Sequence, residues 1–161
     1  MYQNELEKLL SNLPLGDVKY FDSIGSTNDE ALAWAAIDAR DLSLVIADEQ
    51  TAGRGRLDRK WSTPSGTALA FSLIVRPTVD EKPHLSRTVG WAALAVTDSL
   101  RTRQLTPQIK WPNDVLLLER KVCGILVESV WSGEEIDCVV IGTGINVLKG
   151  SVPPTDILQF P

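Results

Sequence analysis

The sequence predicts a single α+β domain spanning residues 1–161, a mixed and largely antiparallel sheet with helices packed on one side. Three observations lead there. Short apolar runs separated by hairpin-length turns are grouped in the second half of the chain. Helical periodicity is confined to a short N-terminal stretch, an Ala-rich stretch and one long stretch. Strands and helices therefore do not alternate one for one, as a doubly wound sheet requires.

In chain order, residues 2–13 predict an amphipathic helix with Leu6, Leu9, Leu10 and Leu13 on one face, ended by Pro14 and Gly16. Val18 to Ile24 follows as a strand. Thr27 and Glu30 fit a capping box before the Ala-rich run 31–37, and the same strand-to-helix turn offers hydroxyls and free N–H groups to a polar ligand. Leu44 to Glu49 predicts a second strand. Residues 67–76 alternate, with Leu69, Phe71, Leu73 and Val75 on one face. The smaller Ala68, Ala70 and Ser72, with Ile74, occupy the other and leave room for something to lie against it. Pro83 opens a long helix to about Arg101, with a buried stripe at Leu85, Val89, Ala92, Val96 and Leu100. Strands are expected at 108–111, 115–118, 121–131 and 137–143, joined by the turns Trp111-Pro112-Asn113-Asp114, Glu119-Arg120 and Gly133-Glu134-Glu135. Beyond Lys149 the chain turns loop-like.

Composition bounds the function. Hydrophobic residues make up 43% and charged residues 23% of 161, the balance of a soluble globular domain. No apolar run approaches the ~20 residues of a membrane span, and the N-terminus lacks the basic and apolar regions of a signal peptide, so a cytoplasmic location is expected. Cys123 and Cys138, with His84 as the sole histidine, make neither a disulfide framework nor a zinc site; two buried thiols are expected, and His84 reads as a surface residue at a helix start. A net charge of −5 argues against non-specific nucleic-acid binding. Charge is unevenly spread, however. Residues 1–50 hold ten acids and three cations, whereas 51–76 hold five cations and one acid.

That asymmetry centres on residues 50–66, which lack a helical or strand period and read as a loop. Arg54, Arg56, Arg59 and Lys60 stand against Asp58 alone. Guanidinium forks match phosphate oxygens, and the glycines at 53 and 55 let the backbone approach a ligand. The segment reads as a loop that closes over a phosphate or acyl phosphate, poorly ordered until ligand binds. Familiar phosphate devices are absent: there is no G-x-x-x-x-G-K-[ST], Val147 stands where Gly142-Thr143-Gly144 needs a third glycine for a dinucleotide fingerprint, and no G-x-S-x-G turn is present.

Further blocks follow in order: Lys110-Trp111-Pro112-Asn113-Asp114, then Lys121 with Gly124-Ile125-Leu126-Val127-Glu128, then Gly142-x-Gly144-Ile145-Asn146. Together with Ser26-Thr27-Asn28, Gly53-Arg54-Gly55-Arg56 and Arg59-Lys60-Trp61, they resemble the catalytic domain of biotin protein ligases over roughly residues 20–147. The resemblance implies the fold shared with lipoate ligases and octanoyltransferases. It also implies an ATP-dependent ligase: biotin attacks the α-phosphate of ATP to give biotinyl-5′-AMP, and a lysine of the biotin carboxyl carrier protein of acetyl-CoA carboxylase then takes the biotin.

Carried over by resemblance, Ser26, Thr27, Asn28, Gln50, Arg54, Gly55, Arg56, Lys121 and Gly124 contact biotin. Arg54, Arg56, Arg59, Trp61, Lys110, Asn113 and Asn146 contact ATP or the adenylate. Arg54, Lys121 and Asp114 are the catalytic candidates, with Asp114 also a candidate Mg²⁺ contact and proton acceptor; Mg²⁺ enters with ATP as the substrate complex. Trp61 is expected as a wall, and Gly124 and Gly144 as points of close ligand approach.

Asp58 departs from the small residue common at its place in the family. The family's N-terminal DNA-binding domain and C-terminal barrel are not recognisable, so DNA is not an expected partner and a shortened or minimal ligase is implied. Homodimerisation comes from the resemblance alone. Two other outcomes stay open: a lipoyl or octanoyl transferase of the same fold, and a biotin-binding remnant without turnover.

Overall fold

The structure is a computed structural model and describes residues 3–152. One seven-stranded sheet organises it: β1 (Val18–Ile24), β2 (Leu44–Gln50), β3 (Ala68–Val75), β4 (Gln108–Lys110), β5 (Asp114–Leu117), β6 (Arg120–Ser132) and β7 (Glu135–Asn146). The strands lie in the order β1-β2-β3-β7-β6-β5-β4. Only β1 and β2 run parallel; every other neighbouring pair is antiparallel. The mixed, largely antiparallel sheet is the one expected. Among the described residues, no helix is long and apolar enough to cross a membrane.

The helices, α1 (Gln3–Leu10), α2 (Thr27–Ala35) and α3 (Thr88–Arg101), occupy both faces, which corrects the one-sided arrangement. Ala31 and Ala35 of α2 pack on Val45, Ile74, Cys138 and Val140. Ala93 and Val96 of α3 pack on Cys123 and Ile125, and next to Ile141 and Ile145, the opposite pleat of the same strands. Leu6 of α1 joins Leu44 and Ile46 on that second face. The sheet is thus buried on both sides, because its central strands carry apolar side chains on alternate pleats in both directions.

Boundaries moved where tertiary contacts overrode local pattern. The N-cap of α2 is Ser26, not Thr27: Ser26 Oγ accepts from Asp29 N, while Glu30 pairs with Lys19 on β1. The expected long helix begins as a 3-10 turn over Lys82–Arg87 and becomes α-helical only at Thr88, so Leu85 falls outside the buried stripe and Ala93 is its fully buried member. The β5–β6 turn is Leu118-Glu119, both at positive φ, which returns Arg120 to the strand; likewise β7 resumes at Glu135. Helix α1 is shorter than residues 2–13 and ends at Leu10. The loop-like tail beyond residue 152 lies outside the described residues, as does the side chain of Asp58. Both cysteines are buried and free, and His84 is exposed, as expected.

Candidate functional site

The pleat of the sheet that carries α2 is only half covered by it. The rest forms a cleft of about 570 Å³. Strand alternation sets its floor: Gly142 and Gly144 of β7 and Gly124 and Leu126 of β6 line it, and Ser72 of β3 and Glu128 of β6 share their pleat without lining the cleft, in register as Ser72↔Gly142↔Leu126 and Gly144↔Gly124. The three glycines leave the space. A Cβ at Gly142 would overlap the Asn28 amide, and one at Gly144 would overlap the Trp61 indole, so both positions need glycine for close approach.

Every site residue expected from the sequence lines this one cleft. Ser26, Thr27 and Asn28 enter from the first turn of α2, all buried. Gln50 ends β2, and the basic loop follows it directly. Lys110 and Asn113 belong to the β4–β5 hairpin and Asp114 opens β5, while Lys121 and Gly124 sit on β6 and Asn146 ends β7. Seven of the charged residues lining the cleft are cations (Arg54, Arg56, Arg59, Lys60, Lys110, Arg120, Lys121) and two are acids (Asp114, Glu119). In a chain of net charge −5, this concentrates positive potential in one cleft and favours an anionic ligand.

The floor is a connected set of hydrogen bonds. Ser72 Oγ lies 2.6 Å from Asn28 Oδ1 and 2.8 Å from Thr27 Oγ1 and shares its single proton between them. Thr27 Oγ1 donates to Gln50 Oε1 at 3.0 Å, as does the Thr27 backbone N–H at 2.8 Å; Gln50 Nε2 donates in turn to Thr63 Oγ1 at 3.1 Å. Asn28 Nδ2 donates to Glu128 Oε2 at 2.8 Å and to the Leu126 carbonyl. Asn28 is therefore satisfied within the protein. What the floor leaves open are donors: the Ser26 hydroxyl proton and the second N–H of Gln50.

At the other end, Lys121 Nζ stands 2.8 Å from Asp114 Oδ1, with each side chain under a third exposed. That oxygen is shielded from solvent and, among the described residues, has no hydrogen bond of good geometry, so the contact is essentially ionic. Lys121 also stands 5.3 Å over the Trp61 ring, which lies along the glycine floor. Among the described residues the Trp61 Nε1–H, buried, finds no acceptor, one more donor in this region. Beneath, on the opposite pleat, Cys123 is fully buried and its thiol is pushed up to about 12, chiefly by desolvation.

The basic loop has backbone structure of its own. Gly55 N donates to Arg59 O at 2.7 Å and Trp61 N to Gly53 O at 2.8 Å, a narrow ribbon rather than an unbonded flap. Its positive φ falls on Leu57 (φ 56), whose side chain is exposed, whereas Gly55 is extended. Arg56 Nη1 reaches Asn113 Oδ1 at 3.3 Å, and Asn113 Nδ2 is bonded to Ile125 O. Asn146 Nδ2 donates to the Lys121 carbonyl. Arg59 and Lys60 are exposed at the rim, as is Lys110. Arg54 turns inward along the protein. It meets Asp29 Oδ1 at 2.6 Å and both oxygens of Glu128 at 2.8–3.1 Å, which hold its guanidinium above the ordinary arginine range.

Sequence reasoning gave no role to Ser72, Thr63, Asp29 or Glu128. The available signal was a polar residue inside an apolar alternation: Ser72 is fully buried in a strand of apolar neighbours, and Glu128 closes the run Gly-Ile-Leu-Val-Glu.

Comparison with known proteins gives the family and the fold. A model of the biotin/lipoate A/B protein ligase family matches residues 20–146. The bifunctional ligase/repressor BirA of Bacillus subtilis is 39% identical over 131 residues, covering 80% of this chain and 39% of that protein. The biotin–[acetyl-CoA-carboxylase] ligase of Paracoccus denitrificans is 39% identical over 144 residues, 82% of this chain and 59% of that one. Among solved structures, the biotin protein ligase of Aquifex aeolicus in complex with biotin and ATP superimposes with a TM-score of 0.66 at 30% identity, covering 86% of this chain and 56% of its own. The chain spans about half the length of the curated relatives it matches. With the matched blocks lining one cationic cleft on a shared fold, the chain belongs to the biotin/lipoate A/B protein ligase family.

Proposed function

We propose that this chain carries out the chemistry of a biotin protein ligase: biotin and MgATP give biotinyl-5′-AMP and pyrophosphate, and a lysine of a biotin carboxyl carrier protein then takes the biotin. The observation that carries this reading is one cleft in which a cationic rim meets a floor of buried hydroxyl and amide donors, bridged by the Lys121–Asp114 pair. The names of the relatives and the biotin–ATP complex of the Aquifex aeolicus neighbour support the choice of substrates.

In the first step a biotin carboxylate oxygen bonds to the α-phosphorus as the bond to the β-phosphate oxygen breaks. No proton moves, but a carboxylate must approach a polyanion. Lys121, Arg56, Arg59 and Lys110 offset that repulsion and stabilise charge on the phosphate oxygens. The ureido group, neutral and polar, lies toward Ser26, Thr27 and Gln50, and the valeryl chain along the glycine floor beside Trp61. Asn28 serves the floor through Ser72 and Glu128, and Arg54 acts through the loop that it anchors. Gly124 and Gly55 allow close approach, and Asn113 and Asn146 fix the turns beside the adenylate.

In the second step a neutral amine bonds to the acyl carbon, the C–O bond to AMP breaks, and the amine gives up a proton. Once Lys121 turns to the acyl phosphate, Asp114 loses its ion-pair partner and is placed to accept that proton. Among the described residues no cluster of three metal-ligating side chains exists. Mg²⁺ would enter as the ATP complex, with the carboxylate of Asp114 to meet it and to help neutralise the polyphosphate charge.

The test is pyrophosphate release on adding biotin and MgATP, followed by transfer of labelled biotin to a purified carrier domain. Release and transfer together support the reading. Transfer of an octanoyl or lipoyl group instead of biotin assigns the other branch of the family, and biotin binding without release leaves a binding protein.

A further inference from the structure

The cleft floor and the basic loop are joined at one carboxylate, and this suggests a role for Glu128 that its place in the sequence does not announce. Glu128 projects from β6, further along the strand than Lys121 and on the pleat that bears the cleft floor. Its Oε2 accepts from Arg54 Nη2 at 2.8 Å and from Asn28 Nδ2 at 2.8 Å. A single oxygen thus ties the first arginine of the loop to the α2 side of the floor. From Asn28 the bonds run through Ser72, Thr27 and Gln50 to Thr63, in the far arm of the loop. The path leaves the loop at Arg54, crosses the floor and returns to the loop's far end. Arg54 also pairs with Asp29 in the first turn of α2, and its backbone bridges Lys60.

We propose that Glu128, assisted by Asp29, is a positioning residue: through Arg54 it holds the basic loop across the cleft, and through Asn28 it fixes the floor beneath. This rests on the proposed ligase reading for its catalytic consequence, but not for its structural one. The physical case has two parts. Glu128 is about a quarter exposed while Arg54 and Asp29 are more open, so the Arg54–Glu128 pair is the less screened of the two. The Asn28 amide is also orientated by its partners: an anionic acceptor on one side and the Ser72 hydroxyl on the other leave one favourable way for it to face. A neutral group at position 128 weakens both at once. The loop then loses its anchor, and the acyl-adenylate that the loop shields escapes sooner.

The test uses the whole chain with Glu128→Gln, which keeps shape and volume, and two readouts. The first is amide hydrogen exchange without ligand. Gly55 and Trp61, whose N–H groups close the loop ribbon, should exchange about tenfold faster, the effect of a charge-assisted bond worth roughly one decade, while Val139 and Val140 in the core stay protected. The second is the dwell time of biotinyl-5′-AMP, which should shorten by a similar factor, with a smaller change in KM for biotin. Asp29→Asn removes only the outer half of the Arg54 bridge and should move both readouts in the same direction by less. Should Glu128→Gln lose core protection as well, Asp29→Asn decides. Loop exchange and adenylate dwell that match the parent chain in the deciding variant overturn the proposal. If the parent chain makes no adenylate, the ligase reading fails, and loop exchange alone still decides the role of Glu128.

Discussion

At the scale of single residues, Lys121 and Gly142 give opposed expectations. Replacing Lys121 by Met keeps the aliphatic stem over Trp61 but leaves Asp114 shielded and unpaired, a loss of about 1–2 kcal/mol. Pyrophosphate release should fall far more, by about a hundredfold or greater, because the ammonium is what offsets the carboxylate–phosphate repulsion. Equal loss of stability and rate in Lys121→Met would make it a structural lysine. Gly142→Ala acts the other way round. Its Cβ overlaps the Asn28 amide, so the floor must deform at about 1–3 kcal/mol, and biotin affinity should fall with stability. Cys123 supplies a pH dependence. Its folded-state value, about 12, lies above the ordinary 9.0, so between these values the unfolded chain has released a proton that the native chain keeps. Stability is unaffected below about 9 and falls as pH climbs toward 12, by up to a few kcal/mol. Urea titrations at pH 8 and 10.5 should show this fall, and Cys123→Ala should flatten it.

At the scale of elements, the basic loop is the informative case. Alternating Gly and Arg residues without a packing period predict an unordered flap, and the side chains of Arg56, Leu57 and Arg59 are exposed. What the pattern does not carry is backbone pairing across the loop, which depends on Gly53 facing Trp61 and Gly55 facing Arg59. Hydrogen exchange on the ligand-free chain should find Gly55 and Trp61 slower than Arg56 and Leu57. Uniformly fast exchange from 53 to 61 would restore the flap. The same distinction explains α2. Its cap shifted to Ser26 because Thr27, although it matches the capping pattern, has its N–H and hydroxyl taken by Gln50 of a neighbouring strand.

At the scale of the whole molecule, two helical layers on one sheet divide the labour: α1 and α3 seal one face, and α2 covers half of the other, leaving the cleft. A ligand seated there binds only the folded chain, so biotin at about 100 times its Kd should add roughly 2.7 kcal/mol and raise Tm by several degrees, with MgATP raising it further. Thermal scans with and without biotin check this, and an unmoved Tm at millimolar biotin contradicts the assignment of the cleft.

The strands, the alternation along residues 67–76, the buried cysteines and the cationic loop were legible in the sequence alone, because two-residue periodicity and clustered cations are local properties of a chain; the other residues that line the cleft were expected only from the family resemblance. The face each helix takes came from packing, since the central strands are apolar on both pleats and pattern cannot rank them. The tertiary structure alone joined Glu128 and Asp29 to Arg54, and Ser72 to Asn28, across gaps of 74, 25 and 44 residues. Those contacts depend on strand register and on which pleat a side chain leaves. Both are fixed by packing the whole sheet and not by any one segment.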